Sequence, residues 1–307
     1  MKNSTKGLLF AGFTAFLWGF LAIALKVAVY DLKPVTVVWF RFTVAFVLLF
    51  ITLLIFDRQL FTSVKKLPTL VFPAGILLGL NYLGFISGIK HTTPGTAQIF
   101  IQIGPVTLAI AGILFFKEKF TRRHFIGLIF LLSGFTLFYS QIQGHDGILK
   151  GNISKGIILI LMGGLCWAGF SILQKIMVRN YNPSHLNLAI FFISAILFLP
   201  FIETEKFPTL ELNDWLLLIF LGLNTFLAYG SLALALKYAE ANKISMIITL
   251  NPVITFIVMG FLEASAVTWI DYEHLTLLSI LGAILALAGV SIVVIRKNKK
   301  AQNNTSV

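Results

Sequence analysis

The sequence predicts an all-α integral membrane protein, with ten transmembrane helices arranged as two inverted five-helix repeats. Three observations carry that prediction. The chain is 58% hydrophobic and 12% charged, with a mean hydropathy of +0.92, whereas soluble domains carry about 25% charge. Its apolar residues fall into span-length runs separated by short polar breaks. The second half of the chain also echoes the first.

The echo is read residue by residue. Lys6, Gly7, Trp18, Lys26, Pro34 and Phe42 recur 149 positions on as Lys155, Gly156, Trp167, Lys175, Pro183 and Phe191. At an offset of 147, Gly75, Tyr82, Lys90, Pro105 and Val106 recur as Gly222, Tyr229, Lys237, Pro252 and Val253. At 155, Gly127 and Gly134 recur as Gly282 and Gly289. Two leucine-rich helices resemble each other by composition alone, but matched Trp, Lys and Pro at one offset mark a duplicated module. The repeats are placed at residues 1–142 and 150–296, followed by a polar cytoplasmic tail at 297–307.

A spanning helix needs about 20 mainly apolar residues. The first run, 7–30, follows Lys2 and Lys6 and contains Ala22-Ile23-Ala24, which imitates a cleaved signal peptide. Its echo from Gly156 is internal, so it is read as a retained span. The second run, 35–56, follows Pro34; the third, 68–89, opens at Pro68; the fourth, 94–116, opens at Pro94. The fifth, 124–142, stops at the polar stretch from Gln143 to Gly147. The other five are 155–178, 184–202 after Pro183, 213–236 after Pro208, 242–262 and 275–295. Trp39, Trp215 and Trp269 lie near span ends and read as interface-belt residues.

Lysine and arginine set the orientation. Loops on the side of the N-terminus hold 17 of the 24 basic residues, and the opposite loops hold 6. Arg41, inside the second span, is the last. Both termini are therefore expected in the cytoplasm. The excess positive charge sits in short loops, so it reads as orientation and contact with anionic lipid, not nucleic acid. Five spans per repeat is an odd number, so the second repeat must start on the far side of the membrane. Inverted repeats are typical of secondary transporters, whose solute site lies near the midplane where the halves meet.

Polar residues inside the spans mark candidate sites, since hydrocarbon leaves them only protein or water to face. Gln98, Gln102 and Pro105 lie on one helical face, and Ser245, Thr249 and Pro252 occupy the matching positions of the ninth span. These stripes face either a central cavity or each other as bundle-holding hydrogen bonds. Pro105 and Pro252 are expected to kink their helices. Trp18 and Trp167 sit at mid-span, with Ser171 one turn from Trp167, and read as a site wall or as packing. Asn81, Tyr82, Asn224 and Tyr229 lie in glycine-rich spans expected to be central, with the Tyr hydroxyls reaching the cavity. Arg41 either snorkels to the surface or holds an anionic solute group. Lys26 and Lys175 raise the same question at symmetric positions.

No Asp or Glu lies deep in any span; Glu118 and Glu263 sit at span ends. A buried-carboxylate proton relay thus has little support, and the cavity is expected neutral to positive, suiting a zwitterion or anion. Catalytic motifs of the G-x-S-x-G, H-E-x-x-H and phosphate-loop types are absent from the sequence. The five histidines are scattered, and Cys166 is the single cysteine. No catalytic residue, metal or cofactor is expected. The expected partners are a small-molecule solute and the bilayer, with a homodimer left open.

Several motifs resemble those of EamA-type members of the drug/metabolite transporter superfamily over almost the whole chain. They are Leu17-Trp18-Gly19 and its echo Cys166-Trp167-Ala168, Arg41-Phe42, Gly104-Pro105-Val106, Asn251-Pro252-Val253, and the Phe116–Thr121 motif FKEKFT. Gly127, Gly134, Gly282 and Gly289 match the family's glycine heptad. The second repeat departs from the pattern after Glu263, with an insertion reaching about His274. The resemblance implies ten helices, a central cavity, rocking of the halves, and solutes drawn from amino acids, other metabolites, nucleotide-linked sugars or drugs, often exported from bacteria. The leading expectation is an inner-membrane exporter of a small polar or amphipathic metabolite such as an amino acid. An anion or nucleotide-sugar exchanger is the alternative within the class. A membrane scaffold or an embedded enzyme is the alternative outside it.

Overall fold

The computed structural model describes residues 3–58, 60–116, 122–143, 153–270 and 276–294, and among these the regular structure is entirely helical. Glu118, the Gly144–Gly147 part of the central loop, the end of the insertion at His274 and the tail lie outside the described residues. The first half holds α1 (Asn3–Asp31), α2 (Pro34–Phe56), a short α3 (Leu60–Val64), α4 (Val71–Lys90), α5 (Pro94–Phe100), α6 (Ile103–Phe116) and α7 (Arg122–Gln143). The second half holds α8 (Ile153–Met177), α9 (Pro183–Phe198), α10 (Leu212–Tyr238), α11 (Ala241–Ile248), α12 (Asn251–Ala264) and α13 (Leu277–Val294). Among the described residues, six helices are long and apolar enough to cross a membrane: α1, α2, α4, α8, α9 with its trailing 3-10 turn, and α10. α12 and most of α7 and α13 form shorter apolar helices.

The helix starts follow from the breakers. Pro34, Pro94 and Pro183 each stand in the first turn, where a missing N–H costs nothing. The Thr93 hydroxyl accepts from Thr96 N at 3.3 Å, and Asn182 Oδ1 accepts from Ser184 N at 2.9 Å. α10 opens with a capping box, Glu211 N donating to Asp214 Oδ2 at 2.9 Å.

The run expected at 94–116 is two helices, α5 and α6, and that at 242–262 is α11 and α12. The chain breaks at Ile101-Gln102 and at Thr249-Leu250, one turn before each expected kink. A proline ring clashes with the carbonyl four residues back, which here belongs to Ile101 and Ile248. The ladder therefore fails there, and Pro105 and Pro252 end in the first turn of the following helix.

Packing pairs the halves. α1 lies antiparallel to α10, and α4 antiparallel to α8. Thr14 Oγ1 donates to Ala228 O at 3.2 Å, and Asn224 Nδ2 to Leu17 O at 3.0 Å. Asn81 Nδ2 donates to Gly163 O at 3.0 Å. Thr14 and Gly163 are 149 apart, and Asn81 and Ala228 are 147 apart, so one contact is made twice with donor and acceptor exchanged. α2 packs on α9, and their ends clasp: Lys33 pairs with Glu203, whose N–H reaches Thr36 Oγ1 at 3.1 Å. At the opposite ends His185 Nε2 lies 2.6 Å from Asp57 Oδ2. α7 and α13 meet along their glycines, where a Cβ on Gly134 would stand 2.3 Å from Ala286 N. The outward faces are apolar, with Ile55, Phe56, Phe72, Leu212 and Leu277 exposed, as lipid contact requires.

Candidate functional site

The α1/α10 and α4/α8 pairs leave a hollow between them. It holds about 70 Å³, and since one water needs about 10–15 Å³ of such space, it admits several waters or a small polar group. Trp18 and Leu21 of α1, Arg41 of α2, and Asn81, Tyr82 and Phe85 of α4 form one part of its wall. Gln98, Ile101, Gln102 and Pro105 enter from the α5–α6 break. Trp167 of α8, Tyr229 of α10, Ile248 of α11 and Asn251 of α12 complete it.

The aromatic wall is a meeting of repeat mates. Trp18 and Trp167 stack edge to face with centroids 5.9 Å apart, and Tyr82 and Tyr229 lie 5.6 Å apart. Trp18 also touches Tyr229 at 5.5 Å. Residues meet their own mates only near the axis relating the repeats, so the hollow lies on that axis. Gly104 permits the close approach of α6 to α8: a Cβ there would stand 2.9 Å from Gly164 O.

Arg41 is 1% exposed and does not snorkel. Its Nε donates to Thr225 Oγ1 at 3.1 Å, which also accepts from the Tyr82 hydroxyl at 3.3 Å. Its guanidinium carbon lies 4.2 Å from the Tyr82 ring centroid. Nη2 has no hydrogen-bond partner, and among the described residues no carboxylate comes within ion-pair distance.

The two glutamines are fixed by what they donate to. Gln98 Nε2 donates to Trp18 O at 2.9 Å, and Gln102 Nε2 to Gln98 O at 3.1 Å and Asn251 Oδ1 at 3.0 Å. Backbone carbonyls only accept, so both amides are oriented, and Gln98 Oε1 and Gln102 Oε1 remain buried without donors. The hollow thus presents one cationic donor, one neutral donor in the unpartnered Trp167 indole N–H, and two neutral acceptors. No group of three or more His, Cys, Asp or Glu among the described residues is placed to hold a metal.

Of the residues singled out from sequence, Trp18, Arg41, Asn81, Tyr82, Gln98, Gln102, Pro105, Trp167 and Tyr229 line the hollow. Ser171, Asn224, Ser245 and Thr249 are buried outside its lining, and Pro252 sits one residue beyond it. Lys26 and Lys175 also stand away from it. Lys26 Nζ donates to Thr92 O at 2.7 Å and Ile89 O at 3.5 Å, and Lys175 Nζ to Leu236 O and Ala239 O at 2.5 Å each. Asn251 was missed as a lining residue, as were Leu21, Phe85, Ile101 and Ile248. The break before α12 turns Asn251 inward, where it accepts from Gln102 Nε2; the repeat pattern does not point to it, because the mate of Gln102 is Thr249 and that of Asn251 is Gly104.

The profile of the EamA-like transporter family matches residues 5–140 and 154–295. A protein of Haemophilus influenzae described as an uncharacterized transporter is 32% identical over 286 residues, covering 92% of both chains. The uncharacterized inner membrane transporter YhbE of Escherichia coli K12 is 29% identical over 292 residues, covering 92% of this chain and 89% of its own. A protein crystal structure 18% identical in sequence shares the fold, with a TM-score of 0.67 over 94% of this chain and 96% of that one.

Proposed function

Because the chain belongs to the EamA-like transporter family, we propose that it exports a small zwitterionic metabolite, such as an amino acid, by alternating access. It is a multi-pass membrane transporter and not an enzyme. Counting α5–α6 and α11–α12 as one broken span each makes ten spans, in two inverted repeats at 1–142 and 150–296. The antiparallel α1/α10 and α4/α8 pairs support that count. The basic loops put both termini in the cytoplasm of a bacterium, and the name of the Escherichia coli relative supports an inner-membrane location.

One observation carries the solute class: Arg41 Nη2, Gln98 Oε1 and Gln102 Oε1 are buried and unpartnered at one hollow. A buried charge without a partner is expensive, and a carboxylate satisfies it in bidentate geometry. An ammonium donates to amide oxygens. The repeat mate of Arg41 is Ile190, which is fully buried and apolar, so the charge lies on one side and would orient a zwitterion. The aromatic wall suits the solute's apolar portion. Arg41 alone would equally serve an anion exchanger, which is the second reading.

The test is transport by purified protein in proteoliposomes, comparing amino acids, their N-acetyl derivatives, nucleotide sugars and cationic dyes. Amino acids should move and their N-acetyl derivatives should not. Transport of N-acetyl derivatives or nucleotide sugars in preference would favour the anion reading. Movement of dyes alone would overturn both.

A further inference from the structure

Lys26 and Lys175 are repeat mates, and so are the carbonyls that they hold. Ile89 and Thr92 lie 147 residues before Leu236 and Ala239, the offset that relates these helices in sequence. Each ammonium sits at a helix C-terminus, where the orphan carbonyls and the helix dipole favour a cation. Neither faces the hollow, and Lys26 is 3% exposed.

Their placement matters more than their capping. α1 packs broadly on α10 and α4 on α8, whereas α1 touches α4, and α10 touches α8, far less. The first pair and the second pair are therefore the two walls of the hollow. Lys26 joins α1 of one wall to the end of α4 in the other. Lys175 joins α8 to the end of α10, again wall to wall. The two links lie at opposite ends. A Cβ on Gly7, in the first turns of α1, would touch Ala239, so the Lys175 link sits where α1 begins. Lys26 lies near the end of α1, 19 residues further along, or roughly 28 Å at 1.5 Å per residue, close to the thickness of the hydrocarbon core.

We propose that Lys26 and Lys175 are the two latches of the transport cavity, one at each membrane face, and that each access state releases one while the other holds. This rests on the alternating-access reading above. A lysine-to-carbonyl contact suits the task. It closes the gap without a buried carboxylate that would bind the cation too firmly, and the released ammonium is readily hydrated.

The test reads access to the hollow without any solute. Leu21→Cys places a reporter in the wall, in a Cys166→Ser background that removes the native thiol. A membrane-impermeant anionic thiosulfonate is applied separately to right-side-out and inside-out vesicles. Lys26→Met should speed labelling about tenfold from one side only, and Lys175→Met from the opposite side, as expected when a closed state loses about that factor in population. Lys→Gln at the same position stands in wherever Lys→Met does not give monodisperse protein. Unchanged rates, or both variants opening the same side, would overturn the latches. Opposite-sided labelling in protein that carries none of the solutes tested would keep the latches and remove the solute reading. Solute transport with unaltered labelling would do the reverse.

Discussion

Arg41 lies over the face of Tyr82, its guanidinium carbon 4.2 Å from the ring centroid, while its repeat mate is the apolar Ile190. Duplication built a symmetric hollow, and this one pair makes it electrically lopsided. The charge is held by a ring face and one hydroxyl, without a carboxylate among the described residues. A buried charge kept at such cost is better explained by a ligand than by stability.

Arg41→Met should therefore separate function from stability. Transport of a carboxylated solute should fall at least about tenfold, the equivalent of ~1.4 kcal/mol. The melting temperature of detergent-solubilised protein should hold or rise, because the unpaired charge has gone. Initial uptake rates and scanning fluorimetry on the same preparation check both. A large drop in melting temperature would mean that the guanidinium is structural.

Asn251 and Ser245 provide a second contrast. Asn251 lines the hollow and accepts from Gln102, so Asn251→Leu leaves Gln102 Nε2 with only Gln98 O and loosens the amide that presents its free oxygen. Ser245 is buried outside the lining. Asn251→Leu should raise KM severalfold, and Ser245→Ala should leave KM nearly unchanged. Concentration-dependent uptake measures each; equal effects would count against the lining assignment.

Much of this was legible in the sequence because symmetry and hydropathy are one-dimensional signals. The Trp18/Trp167 and Tyr82/Tyr229 matches predicted central residues, and their rings meet. Gln98 and Gln102 both line the hollow, since they lie within or just after α5. The matching Ser245–Thr249 face did not reach the hollow. Both repeats break at nearly equivalent places, Ile101-Gln102 and Thr249-Leu250, so the difference lies in the side chains: two long amides in the first repeat, two short hydroxyls in the second. The lysines were misleading for another reason: a buried cation suggests a ligand, and helix-end carbonyls as partners cannot be read from a sequence.

The α7–α13 seam should resist any added atom. A Cβ on Gly289 would lie 2.4 Å from Leu131 N, and backbone cannot step aside as a side-chain tip can. Gly289→Ala should destabilise the protein by ~1–3 kcal/mol, the usual range for overpacking. Gly12→Ala meets nothing within 4 Å and should be neutral or stabilising through helix propensity. Thermal melts of the two variants beside the parent protein decide it, and equal melting temperatures would mean that the seam opens easily.

Acid should loosen the end of the bundle that holds Lys26. His91 follows α4, beside the Thr92 carbonyl that Lys26 grips. Burial, then the charges of Lys155, Lys90 and Lys26, hold its imidazole below the ordinary histidine value. The unfolded chain then takes up this proton at a higher pH than the folded one, so folding loses stability as pH falls below about 6.5. Melting temperature should decline between pH 7 and pH 5, and His91→Gln should flatten part of that decline. The latch assignment adds a second readout: in the Leu21→Cys reporter, acid should speed labelling from the side that Lys26→Met opens, and His91→Gln should remove the acceleration. Should the pH response be the same in His91→Gln and its parent, the charge cluster at this end does not control the latch.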